Sequence, residues 1–99
     1  MDSKMYYQAI VTQEGDEWLA EFPDCPGCQT FANSRPKVIK AAAEALDGWL
    51  ETTLAAGDIP QLPSLAIFTS TDKKQSEVVK IEVSESLTSK VKAAILTFK

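Results

Sequence analysis

Residues 6 to 13, "YYQAIVTQ", alternate strictly, with Tyr7, Ala9 and Val11 on one side and Tyr6, Gln8 and Ile10 on the other. A period of two predicts a strand. "EGDE" at 14 to 17 predicts a hairpin turn, Gly15 supplying the permissive backbone. Alternation resumes in "WLAEF", where Trp18, Ala20 and Phe22 share one face and Leu19 and Glu21 the other; "PDCPG" turns the chain again and "CQTFA" predicts a third short strand. The front third therefore reads as an antiparallel meander.

From residue 34 to 56 the period changes to 3.6. Ser34 is positioned as an N-cap, Pro36 is tolerated in a first turn, and Gly57 ends the helix. Ile39, Ala42, Leu46, Trp49, Leu50 and Thr53 fall on one stripe. At about 1.5 Å per residue this helix is roughly 30 Å long, enough to cross a three- or four-stranded sheet. "IPQLPS" cannot continue it; "LAIFTS" predicts a fourth strand, "TDKKQS" a loop, "VVKIEV" a fifth strand, and residues 84 to 98 a short helix.

Charge changes the picture more through its distribution than its sum. The net charge of the 99 residues is −4, but residues 1 to 64 hold ten acids against four bases, whereas residues 65 to 99 hold six lysines against four acids. The front suits a basic partner and only the tail could suit a nucleic acid. No stretch approaches the roughly 18 apolar residues of a membrane helix, and the N-terminus lacks the apolar core of a signal peptide, so the expectation is a cytoplasmic protein. With no histidine in the chain, His-based acid–base chemistry, Ser-His and Cys-His pairs and His metal sites are excluded.

Cys25-Pro26-Gly27-Cys28 is the one motif with a chemical signature. A reactive Cys-x-x-Cys places its first thiolate at a helix N-terminus. Here the helix starts several residues later, beyond a strand, and Glu21 and Asp24 would raise the thiol pKa. A zinc site needs four ligands, and the chain has two thiols and no imidazole. The reading that prevails is a tight turn, Pro26 fixing φ and Gly27 taking φ > 0. Glu14, Asp16, Glu17, Glu21 and Asp24 form an acidic run, but in a hairpin turn and its neighbour such acids are ordinary surface residues. The expectation is a protein without catalytic residues, metal or cofactor.

Tyr7-x-Ala9, then Trp18-x-Ala20-x-Phe22-Pro23-Asp24-x-Pro26-Gly27-Cys28-x-Thr30, then Glu44-Ala45-Leu46-x-x-Trp49-Leu50-Glu51, then Gly57-x-Ile59-Pro60-x-x-Pro63-Ser64 together resemble the HicB-like antitoxin family over roughly residues 5 to 70. Cys28 falls where the family often has cysteine, and Cys25 where it usually has an aliphatic residue. The resemblance implies an α+β fold, a partial RNase H-like β-β-β-α-β antiparallel sheet carrying one long helix, with a short C-terminal strand–helix unit added. It also implies an antitoxin that neutralises a small basic HicA-type mRNA-cleaving toxin by covering its RNA-binding surface. Two departures stand out. "SRPKV" replaces the acidic turn that opens the family's helix, and the tail resembles a ribbon-helix-helix unit that stops before its second helix.

The organisation expected is therefore a partner-binding domain over 1–70, a linker over 71–77 and an oligomerisation segment over 78–99. Trp18, Glu21, Asp24, Pro26, Gly27 and Trp49 are the partner-binding candidates. Val79, Ile81, Val83, Leu87, Val91, Ile95 and Phe98 form an apolar strand face and helix stripe expected to pair with a second copy, giving a dimer or tetramer. Operator DNA is a secondary expectation, because Lys80, Lys90 and Lys92 are few against roughly six to ten phosphate contacts in a good duplex binder. The competing readings are an orphan module that only self-associates and, if the cysteines or acids proved functional, an enzyme.

Overall fold

The computed structural model describes residues 4–61, 63 and 75–97. It is an α+β protein whose four strands, β1 (Tyr6–Glu14), β2 (Glu17–Glu21), β3 (Gln29–Ala32) and β4 (Gln75–Glu82), form one sheet in the order β3-β2-β1-β4. All three ladders are antiparallel. The helices are α1 (Arg35–Ala55) and α2 (Glu85–Thr97). The strand expected over 65–70 and most of the expected 71–77 linker lie outside the described residues.

The meander and the long helix take their expected places. Gly15 adopts φ 60 between β1 and β2, and Glu14 faces Glu17 across the turn. Ser34 caps α1 with its hydroxyl oxygen accepting the Lys37 amide. At the other end Gly57 takes φ 82, its amide meets the Leu54 carbonyl, and the Asp58 amide meets Thr53. This is a Schellman stop, which needs a residue free to turn left-handed.

The core lies between the sheet and α1. Tyr7, Ala9, Val11 and Ala20 point from the sheet into Val38, Ala42, Leu46 and Leu50 of the helix. Full burial of each Val or Leu side chain contributes about 1.5–3 kcal/mol. The buried helix row runs every fourth residue from Val38, whereas the stripe read from the sequence omitted Val38 and centred between Ile39 and Trp49. Those two are only half-buried, as is Thr53.

The tail departs most from expectation. β4 begins at Gln75 and pairs along β1 from Tyr6↔Glu82 to Gln13↔Gln75. The backbone amide of Val83 continues the ladder to the Met5 carbonyl. Helix α2 then docks on α1, where the Asp47 carboxylate accepts the Ser84 amide at 3.1 Å and so caps the first turn of α2. The expected strand–helix unit is not free-standing: Ile81, Val83, Leu87 and Val91 are buried in the chain's own core, with Val79 and Ile95 packed against it. Phe98 lies outside the described residues.

Candidate functional site

Between β2 and β3 the chain makes two consecutive tight turns. The Cys25 amide bonds the Phe22 carbonyl at 3.0 Å, and the Cys28 amide bonds the Cys25 carbonyl at 2.9 Å. A third bond, from the Phe22 amide to the Cys28 carbonyl, closes the loop at its base. Pro26 and Gly27 occupy the centre of the second turn with Gly27 at φ 85, the geometry of a type II turn. Trp49 of α1 reaches this loop, its indole N–H donating to the Pro26 carbonyl at 3.1 Å.

Both thiols point inward. Cys25 and Cys28 are free and buried. Burial pushes Cys25 up to about 12, with the neighbouring Cys28 and Asp24 adding to the shift. Burial pushes Cys28 up to about 11. Near neutral pH both are therefore neutral thiols, unlike the low-pKa thiolate of a reactive cysteine. Among the described residues no three Cys, Asp or Glu side chains converge as metal ligands.

Asp24 is buried as well, at 3% exposure. Its carboxylate accepts from the Gln61 side-chain amide at 3.0 Å, while the Gln61 backbone carbonyl accepts the Tyr7 hydroxyl at 2.7 Å. Burial, with Cys25 and Asp24 nearby, holds the Tyr7 phenol well above its usual range and hence protonated as the donor. Gln61 thus ties the segment after α1 to both β1 and the turn. The Asp24–Gln61 link joins residues 37 apart in sequence and left no local signal; the sequence presents Asp24 as a turn residue and a partner-binding candidate.

The six partner-binding candidates do not form one surface. Trp18 is half-buried and packed against the core, and Asp24 lies inside the protein. Pro26 and Gly27 are exposed beside half-buried Trp49. Gly27, Gly48, Trp49 and Thr52 line a shallow groove of about 290 Å³ there. Glu21 is exposed on the opposite side, because Leu19 and Glu21 point away from the helices while Ala20 points toward them.

That opposite side is the open face of the sheet, and sequence reasoning did not single it out. Register places Phe31 beside Leu19 and Ile10 beside Val78. Phe31 is 68% exposed and Tyr6 41%, whereas Gln8 and Thr12 on the same side of β1 are buried. Among the described strand residues, Glu14, Glu17, Glu21 and Glu82 share this face with one cation, Lys80. A depression of about 170 Å³ is lined by Glu14, Glu17, Trp18, Leu19 and Phe31. The signal available in sequence was the off-core half of each alternation.

The fold has a solved counterpart. One chain of a structure described as the HicA3 and HicB3 toxin–antitoxin complex superposes with a TM-score of 0.61 at 22% identity, over 81% of this chain and 99% of that one. At that identity the likeness is one of fold. No protein-family model matches the sequence, and no curated protein matches it.

Proposed function

We propose that this chain is an antitoxin-like binding protein of the cytoplasm, which neutralises a small basic HicA-type ribonuclease by covering its RNA-binding surface. The observation that carries the reading is an acidic, His-free domain with the fold of a chain from a toxin–antitoxin complex. An enzyme that grips RNA presents a basic surface, and an acidic domain both covers it and accelerates encounter. The neutral, buried thiols at the Cys-Pro-Gly-Cys turn favour binding over catalysis. In the described tail, Lys80, Lys90 and Lys92 are balanced by Glu77, Glu82 and Glu85, which favours a protein partner over operator DNA.

The test is co-expression with a panel of HicA-type toxins, reading growth rescue and co-purification with catalytically silenced copies of each. Rescue by at least one toxin, with a stable complex, is expected. If none is neutralised or retained while the chain alone sediments as a defined oligomer, the self-associating module is the correct reading.

A further inference from the structure

We infer that the open face of the sheet, anchored on Phe31, Leu19 and Ile10 and rimmed by Glu14, Glu17 and Glu21, is the surface that receives the basic partner. The inference rests on the antitoxin reading above and names the surface that reading leaves open.

Exposure and charge together select this face. Phe31, 68% exposed and next to Leu19, is the kind of anchor that protein interfaces bury. Leu96 is as exposed, at 69%, but lies on α2 with Lys90 and Lys92 rather than on a face rimmed by carboxylates. Four strands about 4.8 Å apart and up to nine residues long give a plane on the order of 500 Å² before side chains roughen it. With flanking turns this is compatible with one side of a standard interface, about 800 Å² per partner.

The carboxylates then decide the occupant. Nucleic acid and anionic lipid are repelled by this rim. A second copy meeting the same face about a twofold axis would set carboxylates against carboxylates, a costly like-charge contact. A basic protein is attracted. The 170 Å³ depression suits one Lys or Arg side chain, its stem against Leu19 and Phe31 and its cation toward Glu14 and Glu17.

The helix side lacks this bias. α1 carries Arg35, Lys37 and Lys40 against Glu44, Asp47 and Glu51, and two of these are engaged within the chain, Arg35 with Glu77 and Asp47 with Ser84.

The experiment uses the full chain and whichever silenced toxin it retains in the co-expression assay, with affinity measured by titration calorimetry. Glu17→Lys/Glu21→Lys should weaken binding about 100-fold and Phe31→Ser at least about 10-fold, whereas Glu44→Lys/Glu51→Lys on the helix should change it by less than about threefold. Circular dichroism confirms that each variant folds. Should the double reversal fail to fold, Phe31→Ser carries the test, since so exposed a ring contributes little to the core. Hydrogen exchange of the wild-type complex should show protection over residues 17–31.

Loss of binding in the helix variant with retention in both sheet variants overturns the surface assignment and leaves the antitoxin reading intact. Self-association abolished by Phe31→Ser in the absence of toxin also overturns it, making the occupant a second copy. Failure of the wild-type chain to hold any toxin removes the antitoxin reading and this inference with it.

Discussion

On the helix side of β1, Tyr7, Ala9 and Val11 are sealed to 1% exposure or less, whereas its other side is uneven: Tyr6 keeps 41%, Ile10 is half-buried, and the polar Gln8 and Thr12 fall to 7% and 8%. Neighbouring residues of one strand therefore meet two environments. The covered face is apolar, closed by Val38, Ala42, Leu46 and Leu50. The open face mixes apolar centres with carboxylates. Alternation alone explains which residues point each way, but burial alone explains only the covered side. Stability demands the first face and leaves the second less constrained. Substitutions on the two faces should separate stability from binding.

The largest effect expected is from cutting the chain after residue 72, which removes β4 and α2. That deletion strips the longest ladder from β1 and takes Ile81, Val83, Leu87 and Val91 out of the core. The truncated protein should lose its cooperative thermal transition. If it melted cooperatively near the full-length temperature, the tail would be an appendage rather than part of the fold.

Next in size, Leu46→Ala on the covered face should cost about 2–5 kcal/mol in denaturant unfolding. Its counterpart Leu19→Ala, on a half-buried open-face residue, should cost under about 1 kcal/mol yet weaken toxin binding. Equal losses of stability would show that the open face is as tightly packed as the core, erasing the contrast.

Gly27→Val tests the turn at the edge of the covered face. A Cβ there meets nothing within 4 Å, so the cost is chiefly that of forcing a β-branched residue to φ 85. Strain of this kind is worth roughly 1–3 kcal/mol. A variant as stable as wild type would mean the turn has another conformation open to it.

These contrasts also show how far the sequence was legible. Strands β1 and β2, their hairpin, the Cys-Pro-Gly-Cys turn and both ends of α1 are written locally, in alternation, caps and glycines. What escaped was written between distant residues. Nothing in "VVKIEV" says that it pairs with residues 6 to 13 rather than with a second copy, because ladder partners leave no local mark. The Gln61 link to Asp24, between two side chains, and the Asp47 cap on α2, from a side chain to backbone, are of the same kind, each joining residues 37 apart. Val38 was missed for a milder reason: the stripe was fitted around Trp49, whose ring instead leans out to the Pro26 carbonyl. The partner-binding candidates fall on both sides of the sheet because an exposed sheet face looks, in sequence, like ordinary polar alternation.

The alkaline limb of stability should report the covered face. Both thiols rise from an ordinary 9.0 to about 12 and about 11, so the folded state prefers them protonated. Their contribution is fully present below about pH 9 and is lost as pH rises through 9 toward 12. Thermal melts should be flat with respect to these groups up to pH 9 and fall beyond it. In Cys25→Ala/Cys28→Ala the fall should be shallower, the remainder reflecting Tyr7, whose phenol is shifted in the same direction. Folded protein labelled by a thiol reagent at pH 8 as fast as unfolded protein would contradict the burial that underlies this.

The smallest effect belongs to a place where the covered face reaches solvent at its rim. The Arg35 guanidinium, at the first turn of α1, donates through Nε to the Glu77 carboxylate of β4 at 2.8 Å. The pair joins two elements 42 residues apart, so it looks like a clasp between the helix and the edge strand. Both side chains are nearly half exposed, however, at 47% and 45%, and at that exposure water and salt screen most of the attraction. Glu77→Gln should therefore cost under about 1 kcal/mol, and less again in 0.5 M salt, where the screening length is only a few ångströms. The apolar contacts of Ile81 and Val79 with the core, together with the β1 ladder, hold β4 whether or not the ion pair forms. A salt-insensitive loss above about 2 kcal/mol would reverse that ranking, making the rim rather than the covered face what keeps the edge strand in place.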